Sequence, residues 1–157
     1  MKSFLVLLIL ICTSLAQSEK SHSESINTLL DNWHKAAATA DEDLFFGSMT
    51  KDAIYLGTDK TERWLRDELK KWSEKYFACD TAWAFTSFNR HINYSTDQTV
   101  AWFDELLNTQ MGICRGSGVL ELINTKWKIK HYDLSIMIDN KIVDAVKKLS
   151  ETPKKDN

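Results

Sequence analysis

His131 and Glu105 are the pair through which this sequence could move a proton. Histidine is the side chain whose charge changes near neutrality. A carboxylate beside it can hold the imidazole in one orientation, or act as a base itself once burial raises its proton affinity. His131 ends the alternation Trp127, Ile129, His131, and Glu105 ends the alternation Phe103, Glu105. In an extended chain that spacing puts each on the face of its apolar neighbours. Each also has a plainer reading: His131 as a core histidine with a satisfied hydrogen bond, and Glu105 as a charge at a rim. Asp104 would take the place of Glu105 if the strand slipped by one residue. Asp59 follows Tyr55 at the end of an earlier strand, where it can close a turn.

Other chemistries lack their signatures. The histidines His22, His34, His91 and His131 have no paired spacing with cysteines or carboxylates, so no metal is expected. Gly116-Ser117-Gly118 lacks the spacing that surrounds a nucleophilic serine. Arg115 before it is not followed by the Lys-Ser/Thr ending of a phosphate loop. No cofactor is expected. Arg115 is expected opposite Asp104 as a cross-strand ion pair, with an anion clamp as the alternative, and Gly112, Gly116 and Gly118 are expected to let the sheet bend or a helix approach closely. Trp64 and Trp72 read as a core stripe or a ligand platform.

These side chains need elements to hold them. Ile26, Leu29, Leu30, Trp33, Ala37 and Ala40 recur at helical spacing, and Ser21 with Glu24 would cap that helix near residue 22. A short second helix follows Asp41-Glu42-Asp43, and a strand covers 53–56. A third helix, capped by Thr61, carries Trp64, Leu65, Leu69, Trp72 and Tyr76. Four strands over about 82–94, 99–107, 111–123 and 126–138 are rich in aromatic and branched residues. Their short connections predict an antiparallel meander, with Thr109-Gln110 and Asn124-Thr125 as two-residue turns. That register puts Phe103, Glu105, Cys114, Gly118, Trp127 and His131 on one face, and Trp102, Asp104, Val119 and Tyr132 on the other. Helices first and a sheet afterwards make an α+β domain.

The composition suits one such domain: 157 residues, 43% hydrophobic and 27% charged, with five glycines and one proline. A net charge of −2 with no basic block argues against a nucleic-acid partner. The first 16 residues run from Lys2 through an apolar stretch to Ser14-Leu15-Ala16, the layout of a secretory signal peptide, too short in its apolar part to remain as a membrane span. Export to the periplasm or the medium is expected, with no membrane span after cleavage. It would permit a disulfide between Cys79 and Cys114, although nothing in the sequence brings them together. Residues 17–24 read as a flexible lead-in, 25–140 as the domain, and 141–157 as a C-terminal helix and charged tail.

Several strings occur in a telling order: Tyr55-Leu56-Gly57-Thr58-Asp59 followed by Glu62 and Trp64; Ala101-Trp102-Phe103-Asp104-Glu105; Cys114-Arg115-Gly116-Ser117-Gly118-Val119-Leu120; and Trp127-Lys128-Ile129-Lys130-His131-Tyr132. Over roughly 25–140 the chain resembles the SnoaL-like branch of the nuclear transport factor 2-like (NTF2-like) superfamily. The resemblance implies a cone-shaped α+β fold, with three N-terminal helices packed on a curved antiparallel sheet and a deep pocket between them, often in a homodimer. Tyr55, Trp64, Phe103, Cys114, Gly118 and Trp127 are expected to line that pocket. Relatives include polyketide cyclases, ketosteroid isomerases, dehydratases and the association domain of a calmodulin-dependent kinase, so fold alone names no activity. Three functions stay open. The chain could be an exported domain binding a small apolar or mixed-polarity molecule. It could be a cofactor-free isomerase, cyclase or dehydratase using His131 with Glu105, Asp104 or Asp59. It could be a non-enzymatic dimeric interaction module, with Trp102, Val119 and Tyr132 on its outer face.

Overall fold

The apolar stripe of the first helix decides the architecture, because Ile26, Leu30, Trp33 and Ala37 can be buried only against a sheet. All four are buried in the computed structural model, which describes residues 2–151, with side chains from Lys20 onward. Helix α1 spans Lys2–Ala38 and α2 spans Glu42–Gly47. Strands β1 (Met49–Leu56) and β2 (Arg63–Leu65) form a hairpin that leads into α3 (Arg66–Phe77). Strands β3 (Thr86–Tyr94), β4 (Val100–Thr109), β5 (Gly112–Ile123) and β6 (Lys126–Ile136) follow as a meander, and α4 (Val143–Glu151) comes last. The strand order is β2-β1-β6-β5-β4-β3. All pairings are antiparallel except β1 with β6, which makes the sheet mixed. No described helix is long and apolar enough to cross a membrane.

Helix α1 runs without a break through 17–24, the stretch read as a flexible lead-in. Nothing there interrupts a helix, and the Ser21 carbonyl already accepts the Ser25 hydroxyl inside it. The side chains of the expected leader lie outside the described residues, as does everything beyond Glu151. Helix α3 begins after the short strand β2, not at Thr61. Leu65 is its N-cap, and the Glu68 carboxylate accepts the Leu65 N–H at 3.0 Å.

Two register details govern the inner face. The β4–β5 turn is Gln110-Met111, so Asn108 pairs with Ile113, not with Met111 as expected. The shift is even and leaves every side chain of β5 on its expected face. Arg115 stands opposite Leu106, and Asp104 opposite Ser117, so the expected Arg115–Asp104 pairing does not form. The Asn124-Thr125 turn forms as expected, with both residues at positive φ.

The second detail changes the site. Val119 pairs with His131 but Leu120 pairs with Ile129, so β6 bulges at Lys130. Beyond the bulge the alternation inverts. Tyr132 and Leu134 turn into the core, and His131 is half-buried on the opposite face. Gly118 makes this possible, since a Cβ there would lie 2.3 Å from the His131 carbonyl oxygen. Lys130 reaches across to Asp52 on β1 at 2.5 Å.

Candidate functional site

Between α3, the β1–β2 hairpin and the inner face of the sheet lies a cavity of about 120 Å³. Tyr55 comes from β1, Trp64 from β2, Leu69 and Trp72 from α3, and Trp83 and Phe85 from the segment before β3. Thr58, Glu62 and Gln110 add polar groups. The walls brace one another, with Trp64 stacked on Trp72 at 5.4 Å and Trp72 near-parallel to Trp83 at 6.4 Å. Trp83 is held by its backbone, since the N–H groups of Ala82 and Trp83 both donate to the Ala37 carbonyl at the end of α1. Gly57 is required here because a Cβ would lie 2.2 Å from the Glu62 carboxylate folded beneath the turn.

Beneath this cavity is a smaller chamber of about 10 Å³, scarcely enough for one water. It shares Tyr55, Trp83 and Phe85 with the outer cavity and is closed by Trp33, His34, Ala37, Phe45 and Tyr132. Its two tyrosines keep their protons. Burial first, then the nearby charges of Glu62 and Asp133, push the Tyr55 phenol far up. Burial and the neighbouring Tyr55, Glu105 and Cys114 do the same to Tyr132.

His34 brings a carboxylate to the chamber. Its Nε2 lies 2.6 Å from Oε1 of Glu105, with His34 7% exposed and Glu105 fully buried. The other oxygen of Glu105 accepts the Arg90 Nε–H at 2.7 Å. Arg90 continues to Asp31 at 2.9 Å, to the Asn27 side-chain oxygen at 3.0 Å and to the Ser87 hydroxyl at 3.0 Å. One guanidinium thus ties α1 to β3 and β4. A register shift between Phe88 and His91, with Asn89 at φ 49°, accompanies its inward turn. Burial alone would raise the Glu105 carboxyl. The hydrogen bond from His34 and the charges of His34 and Arg90 outweigh it and hold the group below its ordinary value. An ionised Glu105 only accepts, so Nε2 of His34 is the donor in this contact, and a neutral His34 would keep Nδ1 as acceptor or base.

A buried histidine–carboxylate pair therefore exists, with Glu105 in it and His34 in the place expected for His131. His131 lies on the other face of β6, away from both cavities, because of the bulge. Asp104 is half-buried on the outer face. Asp59 is exposed and accepts the N–H and hydroxyl of Thr61 at 2.8 and 2.6 Å, which makes it a turn residue. Of the expected pocket lining, Tyr55 and Trp64 face the cavity. Phe103, Cys114 and Gly118 are buried in the core away from it, with Phe103 covering Gly118. Trp127 is buried elsewhere, its indole N–H donating to His22 at 3.1 Å. Cys79 is exposed and Cys114 buried, both free. Among the described residues no group of three His, Cys, Asp or Glu could hold a metal ion.

Sequence reasoning passed over His34 because it weighed the histidine only as a metal ligand. The usable signal was its place four residues after Leu30 and three before Ala37, on the apolar stripe of α1.

A family model for the SnoaL-like domain matches residues 26–139. No curated protein matches the sequence. Solved structures share its fold. A candidate dehydratase of the NTF2-like family from Streptomyces avermitilis has 11% identity and a TM-score of 0.66, over 77% of this chain and 99% of that one. A candidate scytalone dehydratase from Novosphingobium aromaticivorans has 10% identity and a TM-score of 0.65, over 78% and 89%. An NTF2-like protein of unknown function from Pseudomonas putida has 12% identity and a TM-score of 0.64, over 78% and 91%. At these identities the likeness is one of fold.

Proposed function

This chain belongs to the SnoaL-like domain family, and we propose that it is an exported protein that binds a small, mostly apolar molecule in the aromatic cavity between α3 and the sheet. The observation that carries the reading is the cavity itself: about 120 Å³, walled by Tyr55, Trp64, Trp72, Trp83 and Phe85, with a few polar groups at its edge. An apolar lining with sparse polar groups suits a ligand bound by burial and oriented by one or two hydrogen bonds. Export rests on the Lys2, apolar stretch and Ser14-Leu15-Ala16 layout. The test is native mass spectrometry of the processed protein beside Thr58→Trp, a change at an exposed turn that fills the cavity from its wall. A small molecule released by denaturing the wild type and missing from Thr58→Trp supports the reading. A wild type that carries nothing, and that no apolar compound stabilises, removes it.

One observation favours catalysis as a second reading: the His34–Glu105 contact of 2.6 Å at the chamber below the cavity. With Nε2–H held by Glu105, Nδ1 of His34 could take a proton from carbon next to a ligand carbonyl and return it at another position, an isomerase-type step. The resulting imidazolium would face the ionised Glu105. A dehydratase would use the same proton removal, with the imidazolium returning the proton to the departing hydroxyl as the C–O bond breaks, so that water leaves and a carbon–carbon double bond forms. Deuterium uptake from solvent into a bound ketone, abolished in His34→Asn, is the expected result. Equal uptake in the variant removes His34 from the chemistry.

A further inference from the structure

Trp64, Trp72 and Trp83 meet at the outer cavity, with Tyr55 and Phe85 beside them. All five rings are half-buried, so part of each stays uncovered. The centroids of Trp64 and Trp83 lie 5.4 and 6.4 Å from that of Trp72. Tyr76, outside the lining, packs on Trp72 at 5.3 Å and on Trp83 at 5.7 Å. Among the described residues Glu62 is the one charged side chain lining the cavity. The hairpin loop fixes it. Its N–H donates to the Asp59 carbonyl and its carbonyl accepts the Gly57 N–H, both at 2.9 Å, while its Oε2 accepts the Asp59 N–H at 3.2 Å. No lysine or arginine among the described residues forms an ion pair with it. The wall feels a negative field: after burial, the charges of Glu62 and then Asp133 push the Tyr55 phenol up. Arg63, Glu68 and Lys71 share Trp64 and Trp72 with a separate open groove and do not line the cavity.

We infer that the outer cavity is a site for a methylated ammonium group, held against the indoles of Trp64, Trp72 and Trp83 with Glu62 as its counter-charge. The inference rests on the ligand-cavity reading above and adds the chemical class of the ligand. A cation within about 6 Å of an aromatic centroid is attracted by the ring quadrupole, and tryptophan attracts it most. Indoles spaced by 5.4 and 6.4 Å bring all three centroids within that reach of a single group. The methyl groups supply the apolar surface that such walls bury. A primary ammonium fits less well, because it brings three N–H donors that need partners, and Thr58, Gln110 and Glu62 are the only lining side chains that accept. An anion would meet the Glu62 carboxylate. A neutral molecule of the same shape would cover that carboxylate and supply no charge to offset its lost hydration. The ligand class is therefore a small quaternary ammonium compound, with a compact methylated head.

The test compares choline with dimethylbutanol, a compound of the same shape in which carbon replaces the charged nitrogen. Binding of each to the processed protein is followed by NMR titration and by tryptophan fluorescence. The expected result is that choline binds about tenfold more tightly than the alcohol. Glu62→Gln keeps the size of the side chain and an acceptor for the Asp59 N–H. It should bring choline down to the affinity of the alcohol and leave the alcohol unchanged. Trp64→Leu should weaken choline more than the alcohol, and Thr58→Trp, which fills the cavity, should abolish the binding of both. Equal binding of the two compounds to the wild type, lost in Thr58→Trp, overturns the inference and leaves the cavity reading intact. Saturable binding of neither compound overturns both. A choline preference that survives in Glu62→Gln and Trp64→Leu, or that persists in Thr58→Trp, also overturns the inference.

Discussion

Glu105→Gln tests whether the network behind the chamber is held by charge or only by shape. Glutamine keeps the size of the side chain and one acceptor oxygen, and removes the negative charge between His34 and Arg90. The Arg90 side chain is 9% exposed, and its other carboxylate partner, Asp31, is exposed to solvent. Breaking a buried ion pair outright costs about 3–5 kcal/mol. With one hydrogen bond retained, the loss should fall to about 1.5–3 kcal/mol, the range for hydrogen bonds to charged groups. In a chain of this size that lowers the melting temperature by roughly 3–12 °C, against a total stability of about 5–15 kcal/mol. The variant should therefore fold, and urea and thermal unfolding followed by circular dichroism can measure the gap. The pH dependence has a definite sign. Because the folded Glu105 carboxyl lies below its ordinary value, its stabilisation is present above the unfolded value and is lost as the pH falls through the folded one. The gap between wild type and Glu105→Gln should be full near neutrality and close in acid. A gap within about 0.5 kcal/mol at neutral pH, the size of an ordinary surface substitution, would falsify the account of Glu105 as a buried, ionised anchor.

Gly116→Ala should destabilise the protein by about 1–3 kcal/mol through overpacking against the Tyr132 phenol. Adding Tyr132→Phe should recover part of that loss, and a purely additive double mutant would contradict the contact. N-terminal sequencing of the processed protein should begin at or near Gln17, and a chain that retains Met1 would exclude cleavage there. Trp102, 46% exposed on the outer face of the sheet opposite Val119, should lie in a homodimer interface. Light scattering should show a dimer that Trp102→Asp converts to a monomer, and a wild type that stays monomeric at high concentration refutes the interface.

The fold was legible because its two periodicities are clean. Ile26, Leu30, Trp33 and Ala37 keep helical spacing, and Ala101, Phe103, Glu105 and Leu107 keep strict alternation, so burial follows pattern in both elements. The error at the β4–β5 turn did no harm, because moving the turn by one residue shifts the pairing by two positions and preserves face parity. The parallel pairing of β1 with β6 was out of reach of local pattern. It joins strands from opposite ends of the domain, Ile54 with His131 and Tyr55 with Tyr132, a pairing that local spacing does not encode.

The site was half legible, and one residue decides which half. Up to Ile129 the alternation in β6 holds, and Trp127 and Ile129 are buried as the pattern requires. One extra residue, Lys130, then reverses every later side chain. A lysine that can reach Asp52 costs little at the bulge, and a glycine at 118 lets the displaced His131 carbonyl lie against β5. Neither residue marks a bulge when read along its own strand. The mark exists only when Gly118 is set opposite the bulge, and that requires the register already to be known. The consequence for chemistry is an exchange of side chains. The bulge takes an imidazole off the inner face and puts in its place a phenol whose hydroxyl has no hydrogen-bond partner among the described residues. The imidazole is supplied by α1 through His34, from the opposite wall. Glu105 is the buried, inward carboxylate, and its partner comes from an element 71 residues away in the chain, where spacing carries no information. A proton-transfer pair built across two layers can be found from sequence only by asking which titratable residues lie on buried stripes, and on α1 that question returns His34.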